Sequence, residues 1–170
     1  MKPTALSVVL LAALLCSALP ALAGLGQSAE EITKTFGPAK SHDQEASTMT
    51  WELEDGIVYT VAFDGAGKSW LEQVALANDD GEDAFKSVGL LRKFANQHFG
   101  SEDAWEFVDS LEPATFGDRK LESVHGVIYW RLSKDGKQAS AMHVSGTPLI
   151  GVINADYAKA NPKAPIFAGY

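Results

Sequence analysis

The chain has 170 residues, 46% of them hydrophobic, and 22 acidic against 14 basic side chains give a formal charge of −8. That length supports one compact domain or two small fused modules with a real core, and an acidic chain without a Lys/Arg stripe is not built to bind nucleic acid. The single cysteine, Cys16, lies in the first 23 residues, so the remainder is excluded from a disulfide framework or a thiolate metal site.

Those first residues read as an address. Lys2 supplies a positive start, Ala5 to Leu19 is almost wholly apolar, and Ala21-Leu22-Ala23 is the small-x-small pattern of a signal peptidase site. The run is short for a bilayer span, so 1–23 is expected to be a signal peptide cleaved after Ala23, with no stable membrane span. Leu15 precedes Cys16 where lipoprotein processing wants a small residue. The expected location is periplasmic or secreted.

Ser28-Ala29-Glu30-Glu31 is a capping box opening a helix whose apolar stripe is Ile32, Thr35 and Phe36, and Gly37-Pro38 ends it. Lys40 to Ser47 is polar and expected to be a loop. Met49, Trp51 and Leu53, then Ile57, Tyr59, Val61 and Phe63, alternate as two strands. A three-residue loop Glu54-Asp55-Gly56 with Gly56 in the left-handed region pairs Trp51 with Tyr59 and keeps the large residues on one face. Asp64 to Gly67 forms the next turn, and Ser69 to Leu76 is a third strand whose pattern is poor enough to leave a helix open.

Asn78 to Asp83 is an acidic connector. Aligned on the EF-hand glycine, it puts Leu76 at the first ligand position, so the calcium motif fails. Gly24 to Asp83 carries 13 acidic against 3 basic side chains, while Ala84 to Tyr170 carries 9 against 10; an anionic half suits a basic protein partner, loosely held cations or, equally, solubility alone. From Ala84 the period turns helical, with Phe85, Val88, Leu91, Phe94 and Ala95 or His98 on one face. Gly100 ends that helix, and Ser101 caps a second one with Trp105, Val108 and Leu111 as its stripe.

Strands return after Pro113. Val124, Gly126, Ile128, Trp130 and Leu132 fall on one face, and His125, Val127, Tyr129 and Arg131 on the other. A three-residue loop Lys134-Asp135-Gly136 pairs Ile128 with Met142. This register makes His125 and His143 diagonal neighbours on the outer face, a start toward a metal site that lacks a third ligand. An exposed aromatic beside Arg on a flat sheet is material for protein recognition, so Tyr129, Arg131, Val127 and His143 are the candidate binding residues. Pro148 to Ile153 reads as a buried strand, Ala155 to Ala160 as a helical turn, and 161–170 as a tail.

Gly26-Gln27-Ser28-Ala29-Glu30-Glu31-Ile32, Phe36-Gly37-Pro38, Trp51, and Val61-Ala62-Phe63-Asp64-Gly65-Ala66-Gly67-Lys68 together resemble the SmpA/OmlA (BamE-like) family, which shares a fold type with the β-lactamase inhibitor protein. The resemblance covers about a third of the chain. It implies a helix laid on an antiparallel sheet and carries no catalytic residues; the lipid-modified cysteine usual in BamE-type members is absent. Trp51-Glu52-Leu53 before Asp55-Gly56 and Trp130-Arg131-Leu132 before Asp135-Gly136 resemble a repeat, the tandem layout of the inhibitor protein.

The expected fold class is therefore α+β, with helices packed on antiparallel β-sheet. Residues 24–77 form one helix-plus-sheet module, and 84–160 form either a second module or a continuation of the same domain. Gly67-Lys68-Ser69-Trp70-Leu71 fails the nucleophile-elbow pattern at its last position, and neither a phosphate loop nor a dinucleotide fingerprint occurs. The expected function is a non-enzymatic protein-binding module of the cell envelope, without a cofactor. The alternatives are a periplasmic or secreted inhibitor of a hydrolase, and a metal-dependent or hydrolytic enzyme.

Overall fold

The computed structural model describes residues 24–77, 84–109, 111–123, 128–144 and 147–162. Among them are three α-helices, α1 (Ala29–Phe36), α2 (Ala84–His98) and α3 (Ala155–Ala160). There are ten strands: β1 (Ser41–Asp43), β2 (Thr48–Glu52), β3 (Ile57–Phe63), β4 (Ser69–Leu76), β5 (Trp105–Phe107), β6 (Ala114–Phe116), β7 (Arg119–Leu121), β8 (Ile128–Ser133), β9 (Gln138–His143) and β10 (Leu149–Asn154). The protein is mixed α/β and mostly β. The connector 78–83, the Phe85 side chain, residues 124–127 and the end of the tail from 163 lie outside the described residues.

α1 starts where its capping box dictates. The Ser28 amide donates to Glu31 Oε2 at 2.7 Å and the Glu31 amide to Ser28 Oγ at 3.3 Å, while Gly37, at φ 82°, turns the chain away. Ser28→Ala is expected to cost about 1 kcal/mol, read as a lower urea midpoint at unchanged slope.

Eight strands form one antiparallel sheet in the order β1-β2-β3-β4-β10-β9-β8-β5, and β6-β7 form a separate hairpin. The first half gives β1 to β4 in chain order, and the second gives β10, β9, β8 and β5 in reverse. The two runs meet where β4 pairs with β10 from Leu149↔Ala75 to Ile153↔Leu71, so the two halves share a sheet.

Alternation sorts the sheet into two faces. On the near face Trp51, Tyr59, Val61, Val74, Ile150 and Val152 cluster with Ile32 of α1 and Leu91, Phe94 and Ala95 of α2. On the far face Ala62, Leu71, Trp130, Ala139, Ala141 and Ile153 cluster with Phe116, Leu121 and Ala158. The β2–β3 hairpin takes the expected register, Trp51↔Tyr59, with Gly56 at φ 72°.

β4 is a strand, and two features explain its poor pattern. Ala62 pairs with Leu71 but Phe63 with Ser69, so Trp70 is an extra, bulged residue. It joins the far-face cluster and stacks on Tyr157 of α3, ring centroids 4.1 Å apart. The second feature is Glu72, fully buried at a position where alternation wants an apolar side chain. Its Oε2 accepts from the Tyr59 hydroxyl at 2.8 Å and its Oε1 from Ser69 Oγ at 2.9 Å. Ser69 Oγ in turn accepts from the amides of Gly26 and Gln27, which fixes its own hydrogen toward Glu72 and ties the segment before α1 to the sheet.

Three expectations are corrected. The polar stretch 40–47 contains a strand: β1 pairs with β2 from Ser41↔Thr50 to Asp43↔Thr48, across a turn in which Asp43 Oδ1 accepts from the Glu45 and Ala46 amides. An edge strand held by its main chain needs no apolar side chains, so the pattern was silent. The Ser101-capped helix is instead a short 3₁₀ turn, Glu102–Ala104, running into β5. Trp105 and Val108 are buried in different clusters, and Leu111 is exposed; their three-residue spacing imitates a helix. Finally, β8 and β9 pair one residue out of the expected register, Ile128↔His143 and Tyr129↔Met142. Asp135 Oδ1 accepts from Ser133 Oγ and the Lys137 amide, and Ser133 Oγ accepts from the Gln138 amide, which stabilises a turn of four residues rather than three.

Candidate functional site

The register shift divides the four residues expected to form a binding patch. Tyr129 and Arg131 lie on the near face with Met142 and Ser140, whereas His143, opposite Ile128, belongs to the far face. Val127 and His125 lie outside the described residues. Tyr129, Arg131 and His143 are half-buried. The Arg131 guanidinium sits 5.5 Å from the centroid of the Trp105 ring, and burial holds its pKa below the ordinary guanidinium value, opposed by the nearby Glu102. The sheet thus brings Tyr129 and Arg131 together and removes His143 from them.

A more concave feature lies in the acidic half. The last turn of α1 (Thr35, Phe36), the β2–β3 turn and the α2 residues Phe94 and Gln97 enclose a groove of about 490 Å³. Phe36, Leu53, Ile57 and Phe94 form its apolar lining, and Glu52, Glu54 and Asp55 contribute carboxylates. Local chemistry fixes this turn. Asp55 and Gly56 both adopt positive φ, 60° and 72°, and the Leu53 amide donates to the Ile57 carbonyl and the Ala77 amide to that of Gly56. Glu52 pairs with Lys40. Among the described residues no Lys or Arg side chain pairs with Glu54 or Asp55.

Aromatic rings back the groove. The Phe36 centroid lies 5.0 Å from that of Tyr59 and 6.1 Å from that of Phe94, and the His98 ring is 4.2 Å from Phe94. Burial pulls the His98 pKa below the ordinary imidazole value, which favours a neutral ring there. Apolar walls beneath carboxylates suit a long side chain with an aliphatic stem and a cationic head.

The chain matches no family model and no curated protein. It is similar to the crystal structure of a DUF4309 family protein (YjgB) from Bacillus subtilis, at 7% identity and a TM-score of 0.41, over 75% of this chain and 78% of that one. A likeness that distant carries no argument about fold or function.

A second hollow of about 310 Å³ is lined by Phe99, Ala104, Trp105, Ser133, Lys134, Asp135 and Gln138. Its carboxylate is committed, since the Ser133 hydroxyl and Lys137 amide hold the Asp135 pKa below the ordinary value. Among the described residues no three His, Cys, Asp or Glu side chains stand close enough to hold a metal ion, and no helix is long and apolar enough to cross a membrane. The sequence did signal the charge of the first half. It did not signal the groove, because Phe36, Leu53 and Phe94 meet only once three separate segments are brought together.

Proposed function

We propose that this is an exported, non-enzymatic protein-binding module of the cell envelope, periplasmic or secreted, built as helices on an antiparallel sheet. It engages a basic segment of a protein partner through the groove beside Glu54 and Asp55. The observation that carries the reading is the pairing of an apolar groove with two carboxylates that lack a basic partner among the described residues. The excess of acid over base in the first half extends the same field and favours a cationic partner.

The test is a crosslinking pull-down from envelope extract with the purified protein, read by mass spectrometry beside the Glu54→Lys/Asp55→Lys variant. One dominant partner is expected, with affinity roughly 10–100-fold weaker for the charge-reversed protein and weaker in high salt. Equal capture by both proteins would exclude the groove as the contact. A second reading, inhibition of a hydrolase, is favoured by the presentation of Asp55 at positive φ in a tight turn; it requires that the captured partner be a hydrolase whose turnover falls on binding.

A further inference from the structure

The two large hydrophobic side chains exposed among the described residues, Phe107 at 69% and Leu111 at 87%, lie at or just beyond the edge strand β5. β5 closes the sheet on the side away from the acidic groove, and in the sheet order it has one neighbour, β8. The pairing is Trp105↔Ser133, Glu106↔Leu132 and Phe107↔Arg131, extended by Lys134 N–H to the Ala104 carbonyl and Val108 N–H to the Trp130 carbonyl. In an antiparallel ladder the even-numbered residues thus direct their main-chain groups to β8. The Phe107 amide and carbonyl and the Trp105 carbonyl point outward, while the Trp105 amide is taken by Glu102 in the preceding turn.

Side chains alternate on this edge as well. Phe107 lies on the near face, opposite Arg131 and beside Trp105, and Glu106, also exposed, lies on the far face. The stretch 101–112 holds five acids, Glu102, Asp103, Glu106, Asp109 and Glu112, and neither Lys nor Arg. Sheet edges are commonly protected by lysine, proline or a cover; this one has an apolar anchor and an anionic fringe instead.

We propose that β5 is a strand-addition site for an extended segment of a protein partner in which apolar and basic side chains alternate. Outward main-chain groups supply the pairing. An apolar side chain of the incoming strand lies against Phe107, and its neighbours, on the opposite face, meet Glu106. A second copy of this chain is the wrong occupant, because two such edges would set Asp103, Glu106, Asp109 and Glu112 against the same four acids, Glu102 being paired with Arg92.

The probe is a labelled octapeptide of alternating lysine and valine, followed by fluorescence anisotropy with the purified protein. Saturable binding is expected. It should weaken roughly tenfold with Glu106→Lys, weaken with Phe107→Ala, and vanish when alternate peptide amides on the pairing side are N-methylated. Phe107 is exposed, so its variant keeps the fold, checked by circular dichroism. The groove variant Glu54→Lys/Asp55→Lys should keep the binding that depends on Phe107 and Glu106, which separates this site from the groove. Equal binding of an alternating glutamate–valine peptide, or of a peptide with its lysines and valines in separate blocks, overturns the proposal. So does failure to saturate, or concentration-dependent dimerisation in sedimentation that Phe107→Ala abolishes.

Discussion

Glu72→Gln is expected to be about 1–3 kcal/mol more favourable to stability near neutral pH than near pH 4, the penalty of a buried charge whose desolvation is incompletely offset. Burial raises the Glu72 pKa above its ordinary 4.5, against the lowering pull of the Tyr59 and Ser69 hydrogen bonds. The native state therefore holds this proton more tightly than the unfolded chain does. The resulting stability is fully present below the unfolded value and is lost as pH rises through the higher folded value. Glutamine removes the charge: its oxygen accepts from Ser69 and its nitrogen faces the Tyr59 oxygen, whose own hydrogen then loses its acceptor, a cost present at every pH. Burial and the neighbouring Glu72 also drive the Tyr59 pKa well above the ordinary phenol value, so that hydroxyl keeps its proton.

Urea titrations of both proteins at several pH values between about 4 and 8 check this. The difference between the two proteins isolates Glu72 from the exposed carboxyls of Glu31, Glu102 and Asp135, whose lowered pKa values slope stability the other way. A constant difference would show that folding leaves the proton affinity of Glu72 unchanged, and one that grows in glutamine's favour on acidification would show that the fold prefers the ionised carboxylate.

What the sequence revealed depended on whether the signal was local. The α1 cap, the Gly37 stop, the β2–β3 register and the extent of β4 all rest on a few adjacent residues, and the structure has each of them. The failures share another cause. β1 and β5 are three-residue edge strands whose main-chain pairing, with the adjacent β2 and the distant β8, leaves no side-chain pattern, and β6-β7, which the pattern did not suggest, is a hairpin of three-residue strands. In β4 a bulge and a buried acid disturbed the alternation. At the candidate site the sequence supplied carboxylates and aromatics but not their convergence, and the β8–β9 slip moved His143 to the face opposite Tyr129 and Arg131.

That slip also explains why two similar tryptophans differ. Trp51 stands four residues before Asp55 and Trp130 five before Asp135. One residue reverses a strand's facing, so Trp51 joins the near-face cluster and Trp130 the far one. Trp51 is 1% exposed, its indole N–H donates to the Gly37 carbonyl at 2.9 Å, and its ring lies 5.8 Å from that of Tyr59. It joins the end of α1 to the hairpin that bounds the acidic groove. Trp51→Ala should cost about 3–5 kcal/mol, a large fraction of the 5–15 kcal/mol typical of a domain. Trp51→Phe should cost less, retaining ring packing while leaving the Gly37 carbonyl without its donor. Because α1 loses its anchor, Trp51→Phe is also expected to weaken partner capture at the groove while leaving peptide binding at β5 unchanged. Urea midpoints for the series Trp, Phe, Ala, read beside the two binding assays, check both parts: equal losses at the two surfaces would mean that Trp51 supports the whole sheet rather than the wall between α1 and the hairpin.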